Sequence, residues 1–160
     1  MVKQMMGSSK NNEIGTPDDL FQYLDLRFGF TYDAAASHEN AKCKVYSTLG
    51  GTYFTQYGDP RLLDLKDGLG CPWRGRRVYV NPPYGHPWFR LFIEKAISER
   101  DNADIIVMLA KYDPSTENGR LLREHFHLEY LPRIRYDGMD NVATFPSAIA
   151  IAKPSPWRRP

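Results

Sequence analysis

The chain has 160 residues, of which 42% are hydrophobic and 25% are charged, and its net charge is +2. This length and composition predict one globular domain with a buried core. No apolar run is long enough to span a bilayer, and the two cysteines, Cys43 and Cys71, cannot make a disulfide framework. These observations exclude a membrane-spanning protein and a disulfide-stapled secreted domain, and they favour a reducing, cytoplasmic setting. A net charge of +2 is too small to indicate a nucleic-acid partner by itself.

The composition divides the chain into three parts. Residues 1–13 are mostly polar and predict a flexible segment. Residues 14–152 carry the periodic patterns of a folded domain, and residues 153–160 form a basic, proline-rich tail. We therefore expect a single compact domain with two extended ends.

The first predicted helix begins at Thr16-Pro17, where the threonine can cap the helix and the proline suits its first position. Three aromatic or aliphatic residues fall on one face of this helix, and Gly29 ends it: Phe21, Leu24 and Phe28. The next residues, 30–32, predict a short strand that ends at Asp33. The small residues Ala34-Ala35 follow this strand end directly.

The later elements alternate between strands and helices. Residues 45–46 and 77–80 predict strands, whereas residues 47–75 show no clear periodicity and read as a long loop or a missed element. An amphipathic helix repeats apolar residues from Phe89 to Ile97, and a continuous apolar strand spans 105–109. A helix near 116–126 and late strands at 129–131, 134–136 and 147–151 complete the chain. This alternation predicts an α/β fold with a mostly parallel twisted sheet and flanking helices.

The most informative motif is Asn81-Pro82-Pro83-Tyr84, which follows the predicted strand 77–80. Two prolines cannot continue a sheet ladder, so the strand must stop there and turn. An amide precedes the prolines and an aromatic ring follows them, which suits an extruded nucleobase that carries an exocyclic amine. Because ligands of α/β sheets bind at the carboxyl ends of strands, Asp33 and Asn81 should line one crevice.

These motifs resemble those of phage-type DNA N6-adenine methyltransferases, the Dam-like family. The resemblance covers roughly residues 14–152 and rests on six stretches: Thr16-Pro17, Asp33-Ala34-Ala35, Glu39-Asn40-Ala41, Asp67-Gly68-Leu69, Asn81 to Tyr84 and Asn141 to Ser147. It implies a Rossmann-like fold, S-adenosylmethionine as methyl donor, and double-stranded DNA as substrate. It also suggests a role in protecting a viral genome inside the host cytoplasm. The Gly-rich turn usual after the first strand of methyltransferases is replaced here by Asp33-Ala34-Ala35-Ala36.

Two sets of site residues follow. We expect the Asn81 amide oxygen and the Pro82 carbonyl to accept the two hydrogens of the adenine amine, Pro83 to stiffen the turn, and Tyr84 to stack on the base. The resemblance assigns donor binding to six residues, with Glu39 as a weaker candidate for the ribose: Thr16, Pro17, Asp33, Ala34, Ala35 and Asp67. For Asp67 a simple turn role is equally compatible with the sequence. The four histidines lack partners at metal-ligand spacing, so we expect no metal site.

Because the chain has no room for a separate target-recognition domain, DNA contacts must come from loops. The candidates are residues 50–77 and 111–120, with 133–141 as a further option. We expect a short or loosely defined target site. The sequence leaves three alternatives open: a methyltransferase acting on RNA, one acting on protein glutamine, and a non-catalytic DNA-binding protein of the same fold.

Overall fold

The computed structural model describes residues 14–156, so the predicted flexible segment 1–13 and the end of the tail lie outside the described residues. Within this range the chain forms three helices and eight strands. In chain order they are α1 (Asp18–Phe28), β1 (Tyr32–Asp33), β2 (Val45–Thr48), β3 (Gly51–Gln56), β4 (Asp59–Asp64), β5 (Arg77–Val80), α2 (Trp88–Glu99), β6 (Ile105–Lys111), α3 (Glu117–His125), β7 (Phe126–Leu131) and β8 (Ser147–Ala152).

All eight strands join one mixed sheet in the order β4-β3-β2-β1-β5-β6-β8-β7. The four central strands, β2, β1, β5 and β6, run parallel, whereas β3, β4, β8 and β7 are added by antiparallel pairing. The prediction of a mostly parallel sheet is therefore wrong at both flanks, although the α/β class is confirmed. The parallel centre brings the carboxyl ends of β1, β2, β5 and β6 to one edge of the sheet.

The long segment 47–75 contains a β-hairpin that periodicity did not reveal. Strands β3 and β4 pair through a tight turn at Tyr57-Gly58, in which both residues have positive φ. Every residue of β4 is exposed, because it is an edge strand with neither face covered, so it lacks the alternation of a half-buried strand. A predicted strand is also wrong: residues 134–136 belong to an irregular loop between β7 and β8.

Helix α1 begins differently from the prediction. Pro17 occupies the N-cap position without a side-chain cap, and the Thr16 hydroxyl bonds the buried Tyr79 hydroxyl instead. The predicted end is confirmed, because Gly29 adopts a left-handed φ of 61° and donates its N–H to the Asp25 carbonyl.

The core lies on both faces of the sheet. Helices α2 and α3 cover one face, where Val78, Val80 and Ile93 are fully buried. Helix α1 and the β7–β8 loop cover the other face, which buries Tyr79 and Tyr136. Successive residues of β5 thus point to opposite faces, and the strand leads into the Asn81-Pro82-Pro83-Tyr84 turn between two packed layers. Among the described residues, no helix has the length and apolar character needed to cross a membrane.

Candidate active site

A cavity of about 840 Å³ lies at the carboxyl edge of the parallel strands. Its walls come from four segments, 34–40, 47–50, 67–69 and 81–83, together with Ile14, Tyr53 and two residues of α2, Trp88 and Phe92. This volume falls within the roughly 300–1,000 Å³ typical of small-molecule sites. The residues directly after β1 and the loop after β5 therefore share one crevice. Asn81 lines it as expected, whereas Asp33 meets Asn81 only at a smaller neighbouring pocket.

The acceptor loop, Asn81 to Tyr84, presents its first three residues to this cavity. Asn81 Nδ2 donates a hydrogen bond of 2.9 Å to the Ile14 carbonyl, which leaves Oδ1 on the other side of the amide. The nearest described donor to this oxygen is the Tyr84 hydroxyl, at a distance of 3.4 Å. No described residue donates a hydrogen bond to the Pro82 carbonyl. Two acceptor oxygens thus retain bonding capacity at adjacent positions of the loop.

Tyr84 lies behind the acceptor loop and is not part of the cavity wall. Its hydroxyl donates to the Leu109 carbonyl at 2.9 Å and lies 3.0 Å from the Tyr136 hydroxyl. Its ring makes edge contacts with Phe89 and Phe145, and burial raises the pKa of the phenol well above its usual value. The structure therefore places this side chain as an anchor of the loop, and stacking on a base remains a prediction.

Asp33 is buried at the end of β1, and the backbone of the following turn already satisfies its carboxylate. Oδ1 accepts from the Ala35 N–H at 3.3 Å, and Oδ2 accepts from the Lys42 N–H at 2.9 Å. Burial raises the pKa of Asp33 to about 6. Asp33 and Thr16 line a small pocket of about 10 Å³ that also includes Asn81, whereas Pro17 lines neither pocket. The structure brings Asp33 and Thr16 next to the acceptor loop but outside the main cavity.

Two other sequence-predicted segments line the main cavity, namely Ala34-Ala35 and Asp67. Asp67 Oδ1 accepts the N–H groups of Leu69 and Gly70 at 3.1 and 2.9 Å, so its turn role is confirmed. Gly68 packs so closely on the end of β1 that a Cβ there would lie 1.9 Å from the Ala34 carbonyl oxygen. The turn at 67–70 therefore needs glycine to close the cavity against Ala34.

Sequence analysis missed the aromatic wall of the cavity. His38 Nδ1 lies 2.8 Å from the Tyr46 hydroxyl, and the His38 ring meets Tyr53 edge-on at 4.7 Å between centroids. Both His38 and Tyr53 line the cavity. Tyr53 belongs to β3, whose run of aromatic and β-branched residues, 52–55, was the available signal for a strand.

Most of the chain matches the model of a known protein family. Residues 5–136 match the model of the family described as DNA N-6-adenine-methyltransferase (Dam). A search of curated proteins finds no match. The matched region spans most of the chain and includes the segments that line the cavity, among them the acceptor loop. The resemblance found in the sequence is confirmed, and the chain belongs to the Dam family of DNA N6-adenine methyltransferases.

Proposed function

We propose that this enzyme binds S-adenosylmethionine in the cavity and methylates the exocyclic amine of an adenine extruded from double-stranded DNA. The observation that carries the proposal is the meeting of two features at one cavity: Ala34-Ala35, directly after β1, and Asn81, whose Nδ2 is bonded to the Ile14 carbonyl. The parallel order β2-β1-β5-β6 agrees with a Rossmann-like methyltransferase fold, in which ligands bind at the carboxyl ends of the strands.

The residues around the cavity fit the proposed donor. Ala34 and Ala35 offer small side chains for a close approach, and the His38–Tyr53 wall offers aromatic surface to a planar base. Glu39 also lines this region and could accept hydrogen bonds from ribose hydroxyls. When bound, the sulfonium donor would supply an electrophilic methyl group. Asp33 supports this region indirectly by holding the turn from Ala35 to Lys42.

The acceptor loop would act by orienting the target amine. Asn81 Oδ1 and the Pro82 carbonyl each accept one N6 hydrogen, which favours a pyramidal nitrogen with its lone pair directed at the methyl carbon. A neutral amide is not a base, so the amine attacks first: the N–C bond would form as the bond between the methyl carbon and the sulfonium sulfur breaks, the thioether would leave with that electron pair, and the surplus proton would pass to water afterwards. Positioning and preorganised dipoles thus provide most of the acceleration.

Apolar residues at the same end of the cavity would hold the extruded base. Pro83, Trp88 and Phe92 line this end, and Tyr84 supports the loop from behind. Contacts of this kind offset the few kcal/mol that a base loses when it leaves the duplex stack. Pro83 and Trp88 would thus add apolar surface for the base, whereas stacking on the Tyr84 ring remains a prediction.

The DNA would lie across the β7–β8 loop, residues 132–146. β7 ends and β8 begins opposite Lys111, at the same edge of the sheet as the acceptor loop. Arg133 and Arg135 are exposed there and have no ion-pair partner among the described residues. In contrast, Arg120 is bound by two carboxylates of its own helix.

The hairpin is a poorer candidate for DNA contacts. β3 runs antiparallel to β2, so its turn at Tyr57-Gly58 lies at the edge of the sheet opposite the cavity. The β7–β8 loop therefore has better placed free cations than the hairpin turn.

The proposal is tested by incubating the protein with S-adenosylmethionine and four acceptors: double-stranded DNA, single-stranded DNA, RNA and bulk protein. Mass spectrometry of the digested nucleosides should show N6-methyladenine, formed fastest on double-stranded DNA and only with the donor present. Sequencing the methylated positions should show a short or loosely defined context. Faster transfer to single-stranded DNA or RNA would contradict the proposed substrate, and a single long target site would contradict the predicted specificity.

A further inference from the structure

The orientation of the Asn81 amide is set by a segment outside the acceptor loop. A carbonyl can accept but not donate, so the 2.9 Å bond to the Ile14 carbonyl identifies Nδ2 as the buried end of the amide. Any shift of Ile14 would release this end and allow the amide to turn over. The position of Ile14 therefore decides whether Asn81 presents an oxygen or an NH₂ group to the cavity.

Ile14 is held in place through its neighbour Gly15, which pairs with Asp137 of the β7–β8 loop. The Gly15 N–H donates to the Asp137 carbonyl at 2.9 Å, and the Asp137 N–H donates to the Gly15 carbonyl at 2.8 Å. This isolated antiparallel bridge is tight, because a Cβ on Gly15 would lie 3.1 Å from the Asp137 Cβ. Asp137 thus fixes the carbonyl that orients Asn81.

The preceding residue, Tyr136, controls the other neighbour of the Asn81 oxygen. The Tyr84 hydroxyl has one proton and three possible partners: the Leu109 carbonyl at 2.9 Å, the Tyr136 hydroxyl at 3.0 Å and Asn81 Oδ1 at 3.4 Å. The Leu109 carbonyl and Asn81 Oδ1 can both only accept, and the Leu109 carbonyl is nearer, so the proton goes there. The Tyr136 hydroxyl must then donate to Tyr84.

The chain of hydrogen bonds extends from Tyr136 to one further residue of the core. The Tyr136 hydroxyl lies 2.8 Å from the hydroxyl of the buried Ser147. Because Tyr136 has given its one proton to Tyr84, Ser147 must be the donor of this bond. The chain of donors Ser147, Tyr136, Tyr84 and the Leu109 carbonyl is then complete without Asn81. The Tyr84 hydroxyl, 3.4 Å from Asn81 Oδ1, then has no proton left for this oxygen, which stays open to a ligand.

We propose that Tyr136 and Asp137 form a brace that positions the acceptor loop: Asp137 orients the Asn81 amide through Gly15 and Ile14, and Tyr136 holds the Tyr84 hydroxyl away from the Asn81 oxygen. Neither residue lines the cavity, so both are positioning residues. The brace rests on the proposed function, because it matters for turnover only if Asn81 Oδ1 accepts the target amine. It ties the β7–β8 loop to a loop more than fifty residues earlier in the chain.

The test compares Tyr136→Phe with the matched control Tyr112→Phe. Tyr112 is also buried, but its hydroxyl contacts Arg123 and not the acceptor loop. In single-turnover methyl transfer at saturating donor and DNA, Tyr136→Phe should lower the rate about tenfold, and Ser147→Ala about threefold. The dissociation constant of the donor should change less than about twofold in all three variants, and Tyr112→Phe should turn over like the parent.

A second variant tests the backbone half of the brace. Asp137→Pro deletes the N–H that bonds the Gly15 carbonyl, and it should lower the transfer rate at least as much as Tyr136→Phe while donor affinity is retained. A wild-type rate in Tyr136→Phe or in Asp137→Pro, or an equal loss in Tyr112→Phe, would overturn the brace. So would loss of donor binding in parallel with rate, since that indicates general disruption of the cavity.

The brace and the proposed function fail in different ways. If Asn81→Ala abolishes transfer while Tyr136→Phe is fully active, only the brace is wrong. If Asn81→Ala is itself active, the proposed acceptor role is wrong, and the brace falls with it.

Discussion

Asp33 and Asn81 look alike in the sequence and differ in the structure. Both are polar residues at the carboxyl ends of neighbouring parallel strands, and Asp33 pairs with Tyr79, two residues before Asn81. The Asp33 carboxylate is buried and both of its oxygens accept backbone N–H groups. Asn81 lines the cavity and uses its Nδ2 for the local structure, whereas its Oδ1 has only a long contact of 3.4 Å from the Tyr84 hydroxyl. A polar residue at a strand end can thus serve either the fold or a ligand. It can bind a ligand only if some of its hydrogen-bonding atoms are not already used within the protein.

The largest effect is expected for Asn81→Ala, which tests whether Asn81 serves a ligand while Asp33 serves the fold. This change removes one of the two proposed acceptors, so the transfer rate should fall about 10²- to 10³-fold, as when one preorganised group is removed from a polar site. Donor affinity, measured by calorimetry, should stay within about threefold of the parent. A variant that keeps its turnover would show that Asn81 serves the fold as Asp33 does.

The donor side of the cavity is tested by Gly68→Ala with Gly70→Ala as its control. A Cβ at Gly68 would meet the Ala34 carbonyl at 1.9 Å, whereas one at Gly70 would meet only side-chain atoms at 3.4 Å or more. The first change should destabilise the protein by about 1–3 kcal/mol and weaken donor binding. The second should leave thermal unfolding and donor titration close to the parent. Equal behaviour of the two variants would mean that the close approach to Ala34 does not shape the cavity.

The buried carboxylate predicts a pH dependence of stability. The folded-state pKa of Asp33 is about 6, above its model-peptide value of 3.8, so the folded protein binds an extra proton between these values. The contribution of Asp33 to the free energy of unfolding therefore falls as pH rises through 6. Relative to Asp33→Asn, the parent should lose about 2 kcal/mol between pH 4.5 and pH 7.5 in urea unfolding. A constant difference across this range would show that the carboxylate is not desolvated.

The smallest effect is expected on the DNA side. Replacing both Arg133 and Arg135 by Ala should raise the KM for duplex DNA about tenfold and reduce the salt slope of DNA binding by about two, without changing donor affinity. Arg120→Ala is the control, because this guanidinium is held by Glu117 and Glu124 and should contribute little to DNA binding. A larger loss of DNA affinity in the Arg120 variant than in the double variant would place the DNA on α3 instead.

Local patterns predicted the segment that carries the acceptor loop. Strand β5, helix α2 and strand β6 agree with their apolar periodicities, because each has one covered face or two. The β3–β4 hairpin was missed because β4 is exposed on both faces and gives no alternation. Local sequence patterns also could not predict the pairing of strands that lie far apart in the chain. Strand β8 pairs antiparallel with β6, although 35 residues separate the two strands.

The candidate site, like the fold, could be predicted from the sequence only in part. The positions of Asn81, Pro82 and Ala34 at one cavity follow from the rule that strands of a parallel sheet end together. The use of Tyr84 could not be predicted, because it depends on Tyr136 and Leu109, which lie 52 and 25 residues away in the chain. The state of Asp33 likewise depends on the turn that returns to Lys42, which no sequence pattern specified.

In the proposed reaction, two oxygens of the acceptor loop receive the hydrogens of the target amine, and this contact decides whether the mechanism holds. It is tested most directly by a crystal structure with a non-reactive donor analogue and a DNA duplex that contains the methylated sequence. The account predicts an extruded adenine with its N6 within about 3.2 Å of both Asn81 Oδ1 and the Pro82 carbonyl oxygen. An adenine whose N6 is bonded by neither oxygen, or an Asn81 amide that has turned its Nδ2 toward the base, would contradict it.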